Sequence, residues 1–544
     1  MEIFRLVLIL LTVVIASQPL ARLLKVAPLP IVQICIGAAL AWPVTGGLHV
    51  ELEPEVFLLI FIPPLLFGDA WQAPKREFWQ MRGQIASMAF GLVFFTIAAF
   101  GFALHWLVPA VPLAVAFAAA AILSPTDAVA VSSIVDKDRL PPPMLHLLEG
   151  ESLFNDASGL VMFRFASASA LTGAFSLSDA SAAFVYAVVA GAACGIICLI
   201  VAVKALKILS KMSTGAAECQ VLVMIMLPFL AYLLAEHIEA SGVLAAVMAG
   251  MMAGRLGLFR YLGVSARMIA ASSWQMISFA LNGAIFVFLG LQLPAIIRST
   301  PPQLTERHWL IEPVVIVALL TLCLLALRFV FMFAGGAIGR LTGRARYLFS
   351  AKMKVATSVA GVRGAVTLAA ALSLPLAMPD GTPFPARDLV IFLATGVILF
   401  WLLIAWLLLP GLTRNLESGG HAAAELEMKS ARLAAAQAAI ARLEQEAAND
   451  GAEDGAITPR QAAAEGLIAG YRGRIAALEQ GGSAPAETRA EIAAQAQMRQ
   501  AALQAEGDRL RQMLLSGEIN DHTAQRLFEE LTLAQAALAA KRRH

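Results

Sequence analysis

The chain has 544 residues, 59% of them hydrophobic and only 14% charged, against the roughly 25% charged of an ordinary soluble domain. That balance excludes a chain that is water-soluble over its whole length, and a formal net charge of +2 points to no class of partner, nucleic acid included. The five cysteines, Cys35, Cys194, Cys198, Cys219 and Cys323, form no CxxC and have no neighbouring histidines, so they read as small apolar filler rather than a redox or zinc site.

A bilayer crossing takes roughly 17–25 mostly apolar residues. About thirteen such runs follow one another, near 6–24, 30–44, 56–70, 85–107, 113–135, 145–170, 184–207, 221–235, 242–256, 269–293, 314–339, 355–376 and 389–412. The first is too long for the apolar region of a signal peptide and leads into Arg22 and Lys25, so it reads as a spanning helix. Basic residues gather in alternate loops: Arg22 and Lys25; Lys75, Arg76 and Arg82; Lys137 and Arg139; Lys204, Lys207 and Lys211; Arg255, Arg260 and Arg267; then Arg340, Arg344, Arg346, Lys352 and Lys354. Between them lie acidic loops such as those of Glu51 and Glu55 or Glu236 and Glu239. The basic bias puts the N-terminus outside and the C-terminus in the cytoplasm, which fits an odd number of spans.

Four of these runs carry polar groups that are expensive inside a membrane and so mark function. In "FIPPLLFGDAW" (61–71), Pro63 and Pro64 kink the span and Asp69 sits near its end, either as a functional acid or as an interfacial one paired with Lys75 and Arg76. In "SPTDAVAV" (124–131), Pro125 removes a backbone donor, disfavours helix at Ser124 and precedes Asp127. A broken membrane helix is tolerated where its freed carbonyls meet protein, water or an ion; a simple kink is the alternative. In "GESLFND" (150–156), Ser152 and Asp156 share one helix face while Glu151 and Asn155 share the next, about 100° round. Such oxygens suit hard cations rather than zinc or copper. In "GVRGAV" (361–366), Arg363 needs a carboxylate partner unless it snorkels to the interface, and Glu151 is the expected partner in a fixed strut. The second and fourth stretches fall in the fifth and twelfth runs. Six spans, a linker helix and six more would make them equivalent, as in inverted-repeat transporters with a midplane site. Asp127 and Arg363, one of each sign, could offset the dipoles of the broken ends.

At about His421 the composition turns to Ala, Gln, Glu and Arg. Leu426, Leu433 and Ile440, then Leu467, Tyr471, Ile475 and Leu478, form helical stripes separated by breaks at 449–454 and 481–486. Thr458-Pro459 reads as an N-cap followed by a first-turn proline, and a last helix is expected after Asp521. Residues 1–412 are therefore expected to form a membrane domain and 413–544 a cytoplasmic helical hairpin or coiled coil.

The stretches "SPTDAVAV", "GESLFND" and "GVRGAV", in this order, resemble the hallmark stretches of the monovalent cation:proton antiporter-1 family, the NhaP-type and eukaryotic sodium/proton exchangers. The resemblance covers about 6–412 and implies an all-α polytopic fold of NhaA type, with inverted repeats and two broken crossing helices, assembled as a homodimer in the cell's inner membrane. It implies that Asp156 binds sodium or a proton in turn, with Asn155 as its neighbour. Ser152 and Thr126 would complete a Na⁺ shell with Asp156, Asp127 would be the acid at the crossing, and Glu151 and Arg363 a buried salt bridge. One departure concerns "PPLLF", after which many prokaryotic members carry Glu; here Gly68 takes that place and Asp69 follows. One residue turns a side chain by about 100°, which argues against Asp69 reaching the ion and leaves it a further candidate only.

The expected activity is Na⁺/H⁺ antiport without a cofactor, one for one and electrically silent, because burial favours the protonated carboxyl of Asp156 and a nearby cation the ionised one. The same scaffold could instead select Li⁺ or K⁺. A passive cation channel would need polar residues along the whole path, whereas here they cluster at one depth. A membrane-anchored interaction protein would need a single span. No Ser/His/Asp spacing, phosphate loop or His cluster points to an enzyme.

Overall fold

The computed structural model describes residues 2–24, 27–42, 54–135, 139–173, 177–211, 216–298, 311–341, 349–414, 416, 419–448, 459–479, 486–516, 527, 531 and 534–535. The chain divides into two compact units, Met1–Gly420 and His421–His544. The division falls at the change of composition at about His421.

The first unit is built of helices: α1 (Glu2–Leu24), α2 (Leu29–Ala41), α3 (Pro54–Gln72), α4 (Lys75–Gln80), α5 (Arg82–Ala86), α6 (Val93–Leu107), α7 (Leu113–Leu123), α8 (Ala128–Ile134), α9 (Pro142–Thr172), α10 (Leu177–Leu209), α11 (Ala216–His237), α12 (Gly242–Ala253), α13 (Val264–Arg298), α14 (Ile311–Leu341), α15 (Ala351–Val359), α16 (Ala365–Leu372) and α17 (Arg387–Thr413). No strand occurs among the described residues. Among the described residues seven helices can cross a membrane by length and composition, or eight if α7 and α8, bent by 52°, count as one broken span. The remaining apolar runs of the sequence fall on the short helices α2, α3 and α12, on α9 and on the α15–α16 pair.

Two groups of helices make up this unit. In one, α1, α2, α3 and α10–α13 pack together. Glycines set the closest approaches: a Cβ on Gly37 of α2 would lie 2.2 Å from the Val287 carbonyl of α13, and one on Gly290 of α13 2.2 Å from that of Ile34. Small residues at such crossings let membrane helices gain contact where lipid removes the hydrophobic drive. In the other group, α6–α9 and α14–α17 enclose a core that includes Phe100, Leu123, Leu320 and Trp401. The run expected as one helix over 85–107 is α5, a π-helical turn Ser87–Leu92 and α6. A π-turn loosens the backbone ladder, and the Ser158 hydroxyl of α9 donates to the Ala89 carbonyl within it at 2.7 Å.

The second unit contains α18 (Gly419–Ala448), α19 (Pro459–Glu479) and α20 (Ala486–Leu515). Contacts from Lys429 to the Glu479 carbonyl and from Arg472 to Glu444 make α18 and α19 antiparallel. The buried face of α19 runs through Ala464 and Ile468, while Leu467, expected on the stripe, is 55% exposed. Pro459 does open α19; Thr458 and the start of the helix expected after Asp521 lie outside the described residues.

Candidate functional site

Two interrupted helices meet at the centre of the first unit. Pro125 cannot donate to the helical ladder, and α7 stops two residues before it. The chain runs unwound through Thr126 to Asp127, whose carboxylate restarts the helix. Its Oδ1 accepts from the backbone N–H of Val129 at 2.8 Å and of Ala130 at 3.0 Å, the N-cap of α8. The second interruption, residues 360–364 between α15 and α16, lies directly against the first. The Asp127 N–H donates to the Val362 carbonyl at 2.8 Å. A Cβ on Gly364 would sit 2.0 Å from Asp127 Oδ2, so only glycine permits this approach.

Arg363 serves the crossing rather than Glu151. Its Nη1 donates to the carbonyls of Ser124 at 2.8 Å and Pro125 at 2.9 Å, acceptors released by the break, and its guanidinium lies 4.8 Å from the Trp401 ring centre. The expected Glu151–Arg363 pair is thus corrected. Glu151 is held by Arg328 of α14, whose Nη2 donates to Oε2 at 2.7 Å while Nη1 donates to Oε1. Both residues are buried, and Arg328 Nε also reaches the Thr357 carbonyl at 3.2 Å. The planar fork matches the carboxylate, which leaves Arg363 to bare carbonyls. Arg328 lies in the middle of the apolar run 314–339, where the membrane cost that singles out Arg363 singles it out equally.

From this strut a chain of hydrogen bonds leads inward. The Thr126 hydroxyl donates to Glu151 Oε1 at 2.9 Å and accepts from Asn155 Nδ2 at 2.8 Å. Ser152 Oγ accepts from the Ala128 N–H at 3.3 Å. The two stripes of α9 therefore separate as their spacing requires. Glu151 and Asn155 brace the unwound segment, while Ser152 and Asp156 line a cavity of about 50 Å³ together with Asp69, Thr126, Asp127, Asn282 and Thr367. Asn155, expected beside the ion, stands behind Thr126 and is absent from that lining. Asp69, expected to face elsewhere, lies in it. The reason is next door: a Cβ at Gly68 would fall 2.0 Å from Trp274 Nε1, so that side of α3 is filled and the following residue faces the cavity. Leu66, Asp69, Val129 and Ser152 also line a wider pocket of about 190 Å³, which reaches Gln72 and Glu149. Glu149, Ser152 and Asp156, spaced three and four apart, share one face of α9.

A volume of 50 Å³ admits a small cation with a few waters. Carboxylates and hydroxyls are the donor set for a hard ion. Thr126 retains a lone pair after its two bonds, since a hydroxyl offers one donor and two acceptors. Asp156, 6% exposed, is a buried acid, and such a charge must be neutralised by a proton or a cation.

Residues 7–412 match the family described as sodium/hydrogen exchanger, transmembrane. An uncharacterized Na⁺/H⁺ exchanger of Escherichia coli K12, YjcE, is 38% identical over 558 residues, covering 99% of each chain, the C-terminal unit included. A sodium, potassium, lithium and rubidium/H⁺ antiporter of Bacillus subtilis is 41% identical over 414 residues, 76% of this chain and 62% of its own length. Among solved structures, the sodium proton antiporter MjNhaP1 of Methanocaldococcus jannaschii superposes with a TM-score of 0.57 at 19% identity, over 76% of this chain and 99% of its own, and shares the fold. The chain belongs to the sodium/hydrogen exchanger family, the monovalent cation:proton antiporter-1 group.

Proposed function

We propose that this protein exchanges Na⁺ for H⁺ across the cell's inner membrane, with the Asp156 carboxylate holding either ion in turn. The observation that carries the reading is the placement of Asp156 in a cavity shared with Asp69, Ser152 and Thr126 at the crossing of two interrupted helices. Ser152 and Thr126 supply neutral oxygens to the cation. Asn155 and the Glu151–Arg328 strut position Thr126, and Asp127 and Arg363 hold the crossing. With each ion the site is electrically compensated, so the group that carries it can move past the other helices in either loaded state. Li⁺ fits the same donor set, and K⁺ is a second reading because the similar Bacillus antiporter is named for sodium, potassium, lithium and rubidium. The remaining features of the reading are thirteen spans, an outside N-terminus, a cytoplasmic C-terminus and a homodimer. The orientation rests on the basic loops, of which Lys25, Lys137, Arg344 and Arg346 lie outside the described residues.

The test is flux in proteoliposomes holding the full chain, with an imposed pH gradient and Na⁺, Li⁺ or K⁺ outside. Wild type should dissipate the gradient with Na⁺, and Asp156→Asn should not, while eluting and melting as a folded protein. Shared occupancy also fixes the sign of the pH effect. Protons compete with Na⁺, so below the midpoint of proton binding the apparent KM for Na⁺ should rise about tenfold per pH unit at constant maximal rate. Exchange by Asp156→Asn at the wild-type rate would refute the assignment.

A further inference from the structure

Trp79 of α4 is out of place in packing terms. Its neighbours Phe78 and Met81 are buried, yet the indole is 62% exposed. Two guanidiniums approach it from separate parts of the chain: Arg82, at the start of α5, lies 4.6 Å from the ring centre, and Arg255, just past the end of α12, lies 5.9 Å away. Both arginines are exposed, and neither has an ion-pair partner among the described residues. Nearby Lys75 differs, since its ammonium donates to the Trp71 carbonyl. The fold thus brings two like charges to one aromatic ring, whose quadrupole attracts both.

We infer that Trp79, Arg82 and Arg255 form a binding site for the phosphate of an anionic glycerophospholipid from the surrounding leaflet. A phosphate there would accept from both guanidiniums, which present planar donor forks suited to it. The position favours a lipid over a free anion. The site lies between the end of α3, the end of α12 and the start of the 82–107 span, at the ends of apolar helices. Tryptophan prefers the headgroup level there, and basic pockets between membrane helices take anionic headgroups. Leu256, next to Arg255 and 39% exposed, offers apolar surface to an acyl chain. A bound lipid would also tie α5 to α12, segments joined here by no hydrogen bond or ion pair among the described residues.

The experiment is native mass spectrometry and thermal melting of the detergent-purified full chain, titrated with phosphatidylglycerol, phosphatidylcholine or inorganic phosphate. Wild type should bind phosphatidylglycerol in preference to phosphatidylcholine and melt at a higher temperature with it. The Arg82→Gln/Arg255→Gln protein should bind it about tenfold or more weakly and lose the melting shift. A charge-matched Lys204→Gln/Lys207→Gln control should keep both, and Trp79→Ala should weaken binding with both arginines intact. An equal loss in the control, or phosphatidylglycerol binding unchanged in the arginine double variant, would overturn the site. An equal shift with inorganic phosphate alone would overturn the lipid as its occupant.

Discussion

The carboxylate of Glu151 shows how one side chain is spoken for. Arg328 takes both oxygens and Thr126 adds a third bond, all out of contact with water. Removing one partner of such a pair costs about 3–5 kcal/mol, because the other charge is stranded, whereas removing both is far milder. Arg328→Met should therefore lower the melting temperature sharply, and Glu151→Gln/Arg328→Met should recover much of it. A double-mutant cycle of Glu151 with Arg363 should give a smaller coupling than that with Arg328; equal couplings would contradict the pairing seen here. Arg363 was read from the sequence as a charge inside an apolar run; Arg328 is such a charge too but was passed over, and which of them meets Glu151 depends on how α14 and α15 pack, which no local pattern encodes. Asp69 teaches the same lesson from the other side. Its facing followed from counting 100° per residue along α3, yet what turns it to the cavity is the Trp274 indole filling the place beside Gly68. Gly68→Ala should force that indole to shift and destabilise by about 1–3 kcal/mol, measurable as a lower melting temperature. A neutral result would mean that Trp274 is free to move and does not fix the facing of Asp69.

At the scale of elements, the broken helices were legible because their causes are local. Proline in 124–131 and glycines on either side of Arg363 weaken a regular ladder locally, although Pro63 and Pro64 are carried within the continuous α3. The π-turn at Ser87–Leu92 was not, since its freed carbonyl is answered by Ser158, 69 residues away from Ala89. Another long-range contact bears on motion. Arg164 of α9 pairs with Glu236 of α11 at 2.7 Å, with the two side chains 55% and 28% exposed. An exposed pair of this kind is worth no more than about 1 kcal/mol, so it can break in every cycle. Glu236 belongs to the helix group of α1–α3 and α10–α13, while α9 carries Asp156. If α9 moves against that group to alternate access, a permanent link at this point must stop transport. In a background without the five native cysteines, Arg164→Cys/Glu236→Cys should exchange normally when reduced. It should stall once bridged by a short bifunctional thiol reagent and recover on reductive release. Undiminished exchange in the bridged protein would show that the two groups need not separate there.

For the molecule as a whole, the question is how many charges travel together. Three acids line one cavity, so a count by residue type would allow two protons for each cation. Their surroundings differ, however. Asp127 spends one oxygen on two backbone donors and lies tightly against Gly364, so it acts as part of the helix crossing. Asp69 lines both the narrow cavity and the wider pocket that reaches Glu149, so it stands between the two. Asp156 is the one acid in the narrow cavity that does not also line the wider pocket and is not held by a helix cap. Its neighbour is the neutral Asn155, whose amide nitrogen donates to Thr126 and which adds no titrating charge. Under the function proposed above, one proton would leave for each Na⁺ that arrives, and the loaded carrier would have the same net charge in both directions. Exchange by the full chain should accordingly run at the same rate with the membrane potential clamped at zero or set at about −100 mV, where each uncompensated charge would be driven by about 2.3 kcal/mol. Should the rate follow the voltage, a second acid must release its proton, and Asp69 is the one placed to do so. Voltage dependence lost in Asp69→Asn, with turnover retained, would then assign the extra charge to that residue and leave Asp156 as the cation site.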